Sequence, residues 1–454
     1  MLTMTPKEVS KRKAIRINPC KTCQPVGAIY AALGVHRCMP HSHGSQGCAS
    51  FHRMYLTRHF KDPAIASSSS FTEGASVFGG GSNLKISVKN IFDIYDPDII
   101  AVHTTCLSET IGDDLNSFVQ ELSIPEGKLV VHTNTPSYVG SHINGFFNMM
   151  CGFIRYLSKS TGEKNGKAAI FPGFVNPGDM REIKRLTGLM GTDYIMFPDT
   201  SGVMDAPMTG RYEMYPKGGT TIPEIEALGD CDLVFGLGTI TNQEPANELE
   251  RKCGVEYKLL PIPIGIANTD AYVSALSQFS KNEVPYAIEE ERGQLIDIML
   301  DANQYYNKKK VAICGDPDTV LGLAALVLEM GMIPKYVVTG TPKAEFKKLA
   351  EELFARFGVS GCVAKENADL FELHQWIKND PVDLLLGNSF AKQIARAEDI
   401  PLVRAGFPII DRYVHSYMPL VGYRGAMRLV EMIANSLMDR QDRECADEDV
   451  EMVM

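Results

Sequence analysis

The sequence lacks the features that would place it in a membrane or on a nucleic acid. No run of about 18 apolar residues occurs, so no segment is long enough to span a bilayer. The small basic run at residues 11–16 is not followed by the apolar segment that a signal peptide needs. The formal net charge is -10, and no basic stripe carries interleaved aromatic residues. We therefore predict a cytoplasmic protein with no nucleic-acid and no membrane partner.

Several common catalytic and structural patterns are also missing. The 11 cysteines are odd in number and follow no framework spacing, which favours free thiols in a reducing compartment over disulfides. There is no GxxxxGK[ST] loop, and the GLGTIT stretch that begins at residue 236 lacks the third glycine of a dinucleotide fingerprint. No HExxH pair, nucleophile elbow or Ser-His-Asp arrangement stands out. These absences disfavour nucleotide binding and acyl-transfer chemistry.

Short apolar runs alternate with helical segments from residue 98 onward, as in doubly wound α/β domains with mainly parallel sheets. At roughly 150 residues per domain, 454 residues predict three Rossmann-like domains. We place them at 1–165, at 166–305, and at 306–454 with a C-terminal helix and an acidic tail (444–454). The predicted strands are 98–102, 128–132, 168–171, 194–197, 232–236, 309–314, 335–339, 383–386 and 401–404.

Three cysteines and one serine in the first third of the chain lie in turn-rich segments. Cys23 is in NPCKTCQPVGA, Cys48 in HGSQGCASFHR, Cys106 in HTTCLSETIGDDL and Ser137 in NTPSYVGSH. Cysteine thiolates are the usual ligands of iron–sulfur clusters, and nearby glycines let backbone approach a bulky inorganic core. A complete cage normally takes four cysteines, so this set predicts a cluster that is shared with another subunit.

Other polar groups have ordinary explanations. The CxxC formed by Cys20 and Cys23 has no second CxxC, which disfavours zinc, and it does not open a helix after a strand as a thioredoxin pair would. Asp297 and Asp301 lie four residues apart on a predicted helix, either as a solvated acidic face or as ligands of a hard cation. The remaining cysteines are expected to be small buried residues: Cys38, Cys151, Cys231, Cys253, Cys314, Cys362 and Cys445. Six histidines are expected to form hydrogen bonds near the cysteines: His41, His43, His52, His59, His132 and His142.

The same segments carry a family resemblance. MPHSHGSQGC, SFTEGASVFGGGSNLK, AVHTTCLSETIGDDL, TPSYVGSH, ERGQLIDIMLD and GFPIIDRY occur in the order in which they occur in nitrogenase β subunits. The resemblance runs over residues 17–435. HGSQGC and GDPD resemble the molybdenum enzyme, whereas the vanadium and iron-only relatives tend to carry HGGQGC and GHPD. The short N-terminus resembles clostridial and archaeal members.

The resemblance implies a β subunit in an α2β2 nitrogenase component that reduces dinitrogen with ATP. It implies a P-cluster, an 8Fe-7S cluster, at the interface with the α subunit. Cys23, Cys48 and Cys106 match its β-chain ligands, and Ser137 matches a redox-dependent ligand. The iron–molybdenum cofactor would belong to the α subunit, so this chain would relay electrons that a transiently bound iron protein supplies.

Further roles are implied by the same matches. Phe78 and Ile111 match positions where the iron protein docks. Asp297 and Asp301 match ligands of a structural calcium or iron ion at a β–β contact, and a second copy would add its Asp62 and the carbonyl of its Lys61. Cys20 stands where alanine is usual and is expected to be a bystander.

Three alternatives stay open from the sequence. A cofactor-assembly scaffold paralogue should lack part of the ligand set, which this chain keeps. The β subunit of a vanadium or iron-only nitrogenase would differ at HGSQGC and GDPD. A silent structural partner that only braces an α subunit would not need the ligands at all.

Overall fold

The computed structural model describes residues 4–9, 12 and 16–446 of the chain. Within them the strands form three sheets, and every paired strand is parallel to its neighbour. The predicted α/β fold class with mainly parallel sheets is confirmed. Residues 447–454, most of the predicted acidic tail, lie outside the described residues.

The first sheet carries the N-terminal motifs. Its strands are β1 (Cys38–His43), β2 (Ser67–Ser68), β3 (Ile99–Thr104) and β4 (Leu129–Thr133), in the order β2-β1-β3-β4. Every residue of β1 and β3 is buried, as in strands covered on both faces. The helices of this region are α1 (Gln24–Leu33), α2 (Gln46–Phe60), α3 (Glu73–Phe78), α4 (Gly81–Tyr95), α5 (Cys106–Ile111), α6 (Leu115–Gln120) and α7 (His142–Leu157).

The second sheet repeats the same pattern of strand order. Its strands are β5 (Ala168–Phe171), β6 (Tyr194–Met196), β7 (Leu233–Leu237) and β8 (Tyr257–Leu260), in the order β6-β5-β7-β8. Its helices are α8 (Pro177–Leu189), α9 (Ile222–Glu226) and α10 (Thr239–Cys253).

The third sheet has the order β11-β10-β9-β12-β13, which matches the first five positions of the dinucleotide-binding type of doubly wound sheet. Its strands are β9 (Lys310–Gly315), β10 (Ile333–Thr339), β11 (Val363–Lys365), β12 (Leu384–Gly387) and β13 (Leu402–Arg404). The remaining helices are α11 (Ile266–Ser280), α12 (Tyr286–Asp301), α13 (Asn303–Tyr306), α14 (Pro317–Glu329), α15 (Ala344–Arg356), α16 (Leu370–Asn379), α17 (Lys392–Ala397) and α18 (Gly422–Glu444).

The chain separates into two compact units. One combines residues 21–261 with 412–419 and holds the first two sheets. The other combines the described residues of 1–20 with 262–411 and 420–446 and holds the third sheet. The division into three domains at 165 and 305 stays a prediction.

Strands with apolar sequences were predicted correctly, whereas several other strands were not. All the predicted strands are present, with ends that differ by at most about two residues. The strands β1, β2, β8 and β11 are absent from the predicted set. The strand β1 reads CMPHSH, yet it is fully buried, because His41 bonds the hydroxyls of Ser67 and Ser69 at 2.9 and 2.8 Å.

The helices α1 and α7 meet backbone to backbone. A Cβ added at Gly27 of α1 would lie 1.7 Å from the carbonyl oxygen of His142. A Cβ added at Gly145 of α7 would lie 1.8 Å from the carbonyl oxygen of Gln24. Only glycine allows this approach at either position, so the two helices can lie this close only while both residues are glycine.

We predict that Gly27→Ala lowers the free energy of unfolding by about 3 kcal/mol or more, the upper end of the usual cost of overpacking, because the two backbones must separate. The melting temperature of the purified protein, measured by calorimetry, should fall. Gly188→Ala is the matched control, since nothing lies within 4 Å of its added methyl group and α8 gains a better helix former. Equal melting temperatures for the two variants would contradict the close-packing argument.

Candidate functional site

The three candidate cysteines all lie at the beginning of helices. Cys23 is the N-cap of α1, Cys48 is in the first turn of α2, and Cys106 is the first residue of α5. First-turn N–H groups lack partners within their own helix, and the helix dipole is positive at this end. Each thiol therefore lies where a negative charge is favoured.

The parallel sheet brings these segments together. Cys48 follows β1, Cys106 follows β3 and Ser137 follows β4, and these are neighbouring strands. Carboxyl ends of parallel strands lie at one edge of the sheet, and the chain reverses its direction of winding between β1 and β3. That reversal is the position at which doubly wound sheets bind their ligands.

The loops that carry Cys48 and Cys106 touch each other. A Cβ added at Gly44 would lie 1.9 Å from Thr105 Oγ1, and that hydroxyl donates to the carbonyl of His43 at 3.1 Å. Gly44 stands four residues before Cys48, and Thr105 immediately precedes Cys106. A glycine at this crossing is therefore needed for the two cysteines to approach.

The thiols influence one another. Burial, and then the neighbouring Cys48, raise the pKa of Cys106, whose thiol also hydrogen-bonds to Cys48. Burial raises the pKa of Cys23 to about 11, Thr22 opposes that shift by hydrogen bonding, and Cys48 adds to it. Without metal these two thiols are protonated at neutral pH, so any metal that binds there must displace their protons.

The loop that carries Ser137 is tied to both cysteine segments. Gln24 Nε2 donates to the carbonyls of Pro136 and Val139, each at 3.0 Å. Tyr138 Oη donates to the carbonyl of Cys106 at 2.9 Å. Ser137 is half-buried. The structure therefore brings Ser137 to the same edge as Cys23, Cys48 and Cys106.

Five of the six histidines form hydrogen bonds, as the sequence predicts: His41, His43, His59, His132 and His142. The prediction is wrong for His52, whose buried Nδ1 has no hydrogen-bond partner in the described part of the chain. His43 Nδ1 bonds Ser69 Oγ at 2.9 Å and its Nε2 bonds Asp113 Oδ2 at 3.0 Å. His103 Nε2 bonds Ser42 Oγ at 2.8 Å. No group of three or more His, Cys, Asp or Glu side chains among the described residues could hold a single metal ion. A multi-iron cluster binds its ligands at separate irons and does not need that convergence.

The residues suggested for docking lie on two helices that pack together. Phe78 is 90% exposed at the end of α3, and Ile111 is half-buried at the end of α5, against which α3 packs. Gly80 N donates to both carboxylate oxygens of Asp113 at 3.1 Å, which ties the segments that follow the two helices. The structure therefore places Phe78 and Ile111 on neighbouring helices.

The residues suggested for a cation lie on the two compact units. Asp297 and Asp301 are exposed on α12, on the helical face that the sequence predicts. Lys61 ends α2 with a left-handed backbone (φ 69°), and Asp62 is half-buried with a raised pKa, because burial outweighs its hydrogen bond from Tyr417. The cation itself stays a prediction.

The other cysteines divide into two groups. Cys38, Cys151, Cys231 and Cys314 are buried, as expected. Cys253, Cys362 and Cys445 are partly exposed, which corrects the expectation. Cys253 is the last residue of α10, Cys445 directly follows α18, and Cys362 lies between α15 and β11, so none of them is inside a core. Cys20 is buried against Cys314, whose hydrogen bond is the largest effect that raises the Cys20 pKa.

Three residues that hold the site together could not be recognised from the sequence. Gln24, Tyr138 and Asp113 lie in the segments of Cys23, Ser137 and Cys106, and each bonds to backbone or side chains of another segment, which no motif indicates. The one available signal was position, since Gln24 directly follows Cys23 inside a helix that is apolar throughout.

Fold and site together define an α/β protein whose first sheet gathers cysteines suited to a metal–sulfur cluster. The family described as "Nitrogenase component 1 type Oxidoreductase" matches residues 23–438. The chain belongs to this family, and the sequence-based interpretation of it as a nitrogenase oxidoreductase subunit is confirmed.

Relatives of known identity agree. The chain is 60% identical over 457 residues to the "Nitrogenase molybdenum-iron protein beta chain" of Clostridium pasteurianum, which covers 100% of both chains. It is 39% identical to the chain of the same description from Methanococcus maripaludis, over 95% of this chain and 96% of that one.

Solved structures support the same fold. A chain of "Nitrogenase Cp1 at pH 6.5" superimposes with a TM-score of 0.98 at 60% identity over 100% of both chains. A chain of "Nitrogenase Cp1 at pH 5" has a TM-score of 0.71 at 15% identity, over 97% of this chain and 92% of that one, and shares the fold alone. Among the described helices, none has the length and apolar character to cross a bilayer.

Proposed function

We propose that this chain is the β subunit of a nitrogenase molybdenum–iron component in an α2β2 complex. It holds a P-cluster at the interface with the α subunit and relays electrons from the iron protein to the cofactor of the α subunit. The observation that carries this proposal is the meeting of Cys23, Cys48, Cys106 and the Ser137 loop at one edge of the first sheet.

The donor set fits a shared iron–sulfur cluster. Thiolates suit iron, helix beginnings offset their negative charge, and Gly44 lets two of the ligand loops approach closely. When bound, the cluster supplies reversible electron storage. Three thiols are too few for an eight-iron core, so the α subunit must supply the remaining thiolates.

The alternatives are less well supported. A cofactor-assembly scaffold should lack part of the ligand set, and this chain keeps three cysteines and the serine. The HGSQGC and GDPD motifs, and the description of the relatives as molybdenum–iron β chains, favour molybdenum over the vanadium and iron-only types. A nitrogenase of this kind would act in the cytoplasm.

Cys48→Ala is the direct test of the cluster proposal. No other thiol of α2 can replace Cys48, so the complex purified with its α subunit should lose most of its P-cluster iron and dissociate more readily. Metal analysis and size-exclusion chromatography measure both effects. Cys362→Ala, which removes a half-buried thiol from the other compact unit, is the control and should retain full iron. Full iron content and activity in Cys48→Ala would exclude the assignment.

Ser137 is proposed to bind iron in a redox-dependent way. A neutral hydroxyl is a poor ligand of reduced iron, whereas an alkoxide is a hard donor that favours oxidised iron. Ser137 Oγ must therefore lose its proton to bind, and ligation is coupled to deprotonation.

We predict that the potential of the serine-linked step falls by about 59 mV per pH unit, as expected for one electron and one proton. The Ser137→Ala variant should keep its iron and lose this pH dependence of the potential. Redox titrations at pH values from about one unit below to one unit above neutrality measure it. A slope identical to that of wild type would leave Ser137 without a ligand role.

Phe78 is proposed to anchor the iron protein. Truncation of a central aromatic anchor typically costs about 2 kcal/mol or more, so Phe78→Ala should weaken docking by about thirtyfold or more while cluster spectra stay unchanged. Turnover at varied iron-protein concentration measures this effect. Tyr286→Ala removes an aromatic ring that is 73% exposed on α12 and serves as the control. Unchanged kinetics in Phe78→Ala would remove the docking role.

A further inference from the structure

We propose that Gln24 is a positioning residue that sets the reach of Ser137 toward the cluster. This inference rests on the proposed function of the site. Gln24 is 3% exposed, it directly follows Cys23, and its side-chain amide bonds the backbone on both sides of Ser137.

Every polar atom of the Gln24 side chain is used. Its two amide hydrogens are donated to the carbonyls of Pro136 and Val139, each at 3.0 Å. Its Oε1 accepts from Asn148 Nδ2, also at 3.0 Å. A buried amide with all its bonds formed has one stable orientation, because any rotation leaves buried polar groups unpaired.

The backbone of Gln24 is held as firmly as its side chain. Its carbonyl oxygen lies where the Cβ of residue 145 would otherwise be, so α7 blocks movement of the first turn of α1. Asn148 lies on the same helix one turn further along. The helix pair therefore fixes Gln24, and Gln24 fixes the Ser137 loop at a set distance from Cys23.

In this arrangement only the side chain of Ser137 can move when its hydroxyl binds or releases iron. The two carbonyls that Gln24 binds belong to the residue before Ser137 and to the second residue after it. With both held, the loop backbone cannot withdraw, and the hydroxyl binds or releases by rotation of its side chain. Without these bonds the loop drifts, and the bound form of Ser137 becomes less populated.

Gln24→Met tests the proposal, because methionine keeps the volume and removes both donors and the acceptor. Ligation by Ser137 favours the oxidised state, so its weakening should raise the potential of the serine-linked step. A tenfold loss of the bound form corresponds to about 59 mV for one electron. Hydrogen exchange of residues 136–141 in the intact complex should become at least tenfold faster, a readout that does not depend on activity.

Two further variants complete the experiment. Gln243→Met is the matched control, since Gln243 bonds Asn247 and Tyr257 on α10 and β8 and does not touch the Ser137 loop. Asn148→Ala removes only the donor to Gln24 Oε1. It should shift the potential and the hydrogen-exchange rate in the same direction as Gln24→Met, by a smaller amount. Asn148 lines an open pocket of about 400 Å³, so water can fill the space and the fold should persist even if Gln24→Met misfolds.

The outcomes separate this inference from the function on which it rests. If Ser137→Ala shifts the potential and neither Gln24→Met nor Asn148→Ala changes potential or loop exchange, the positioning role is wrong and the ligand role stands. If Ser137→Ala itself leaves the potential unchanged, the ligand role fails first. Faster exchange with an unchanged potential in Gln24→Met would make Gln24 a structural brace and overturn the inference.

Discussion

The contact between α1 and α7 is the constraint on which the site depends. At Gly27 and at Gly145, a carbonyl oxygen of the opposite helix occupies the space in which a side chain would otherwise begin. The helix α1 begins directly after Cys23, and the Ser137 loop leads into α7. Because the two helices hold each other in place, they also set the position of Cys23 relative to the Ser137 loop. The buried amide of Gln24 then holds the backbone on either side of Ser137 by hydrogen bonds.

The parallel sheet contributes the other half of the site. Adjacent carboxyl ends of β1 and β3 place Cys48 and Cys106 together. The hydroxyl of Thr105, which donates to the carbonyl of His43, joins the two loops. The cost is three thiols gathered in a partly buried place, which raises the pKa of Cys23 and Cys106. A metal that binds these thiols must displace their protons.

Patterns that are local in sequence could be predicted, and those that depend on distant partners could not. Apolar runs located the buried strands, and turn residues marked the ligand loops. The strand CMPHSH was missed because it is polar. Its His41 is buried because it bonds the hydroxyls of Ser67 and Ser69, and no sequence pattern indicates those bonds. Gln24 was missed because its partners lie 112 and 115 residues away along the chain. Family resemblance suggested the candidate ligands, but only the fold shows which residues hold their segments.

The central claim is that this chain supplies one side of a shared multi-iron cluster. Diffraction at the iron absorption edge from crystals of the complex with its α subunit tests it most directly. The account predicts strong anomalous density from several irons in contact with the sulfurs of Cys23, Cys48 and Cys106, at a face covered by the α subunit. Iron absent from these sulfurs, or a complete cluster enclosed by this chain alone, would contradict it.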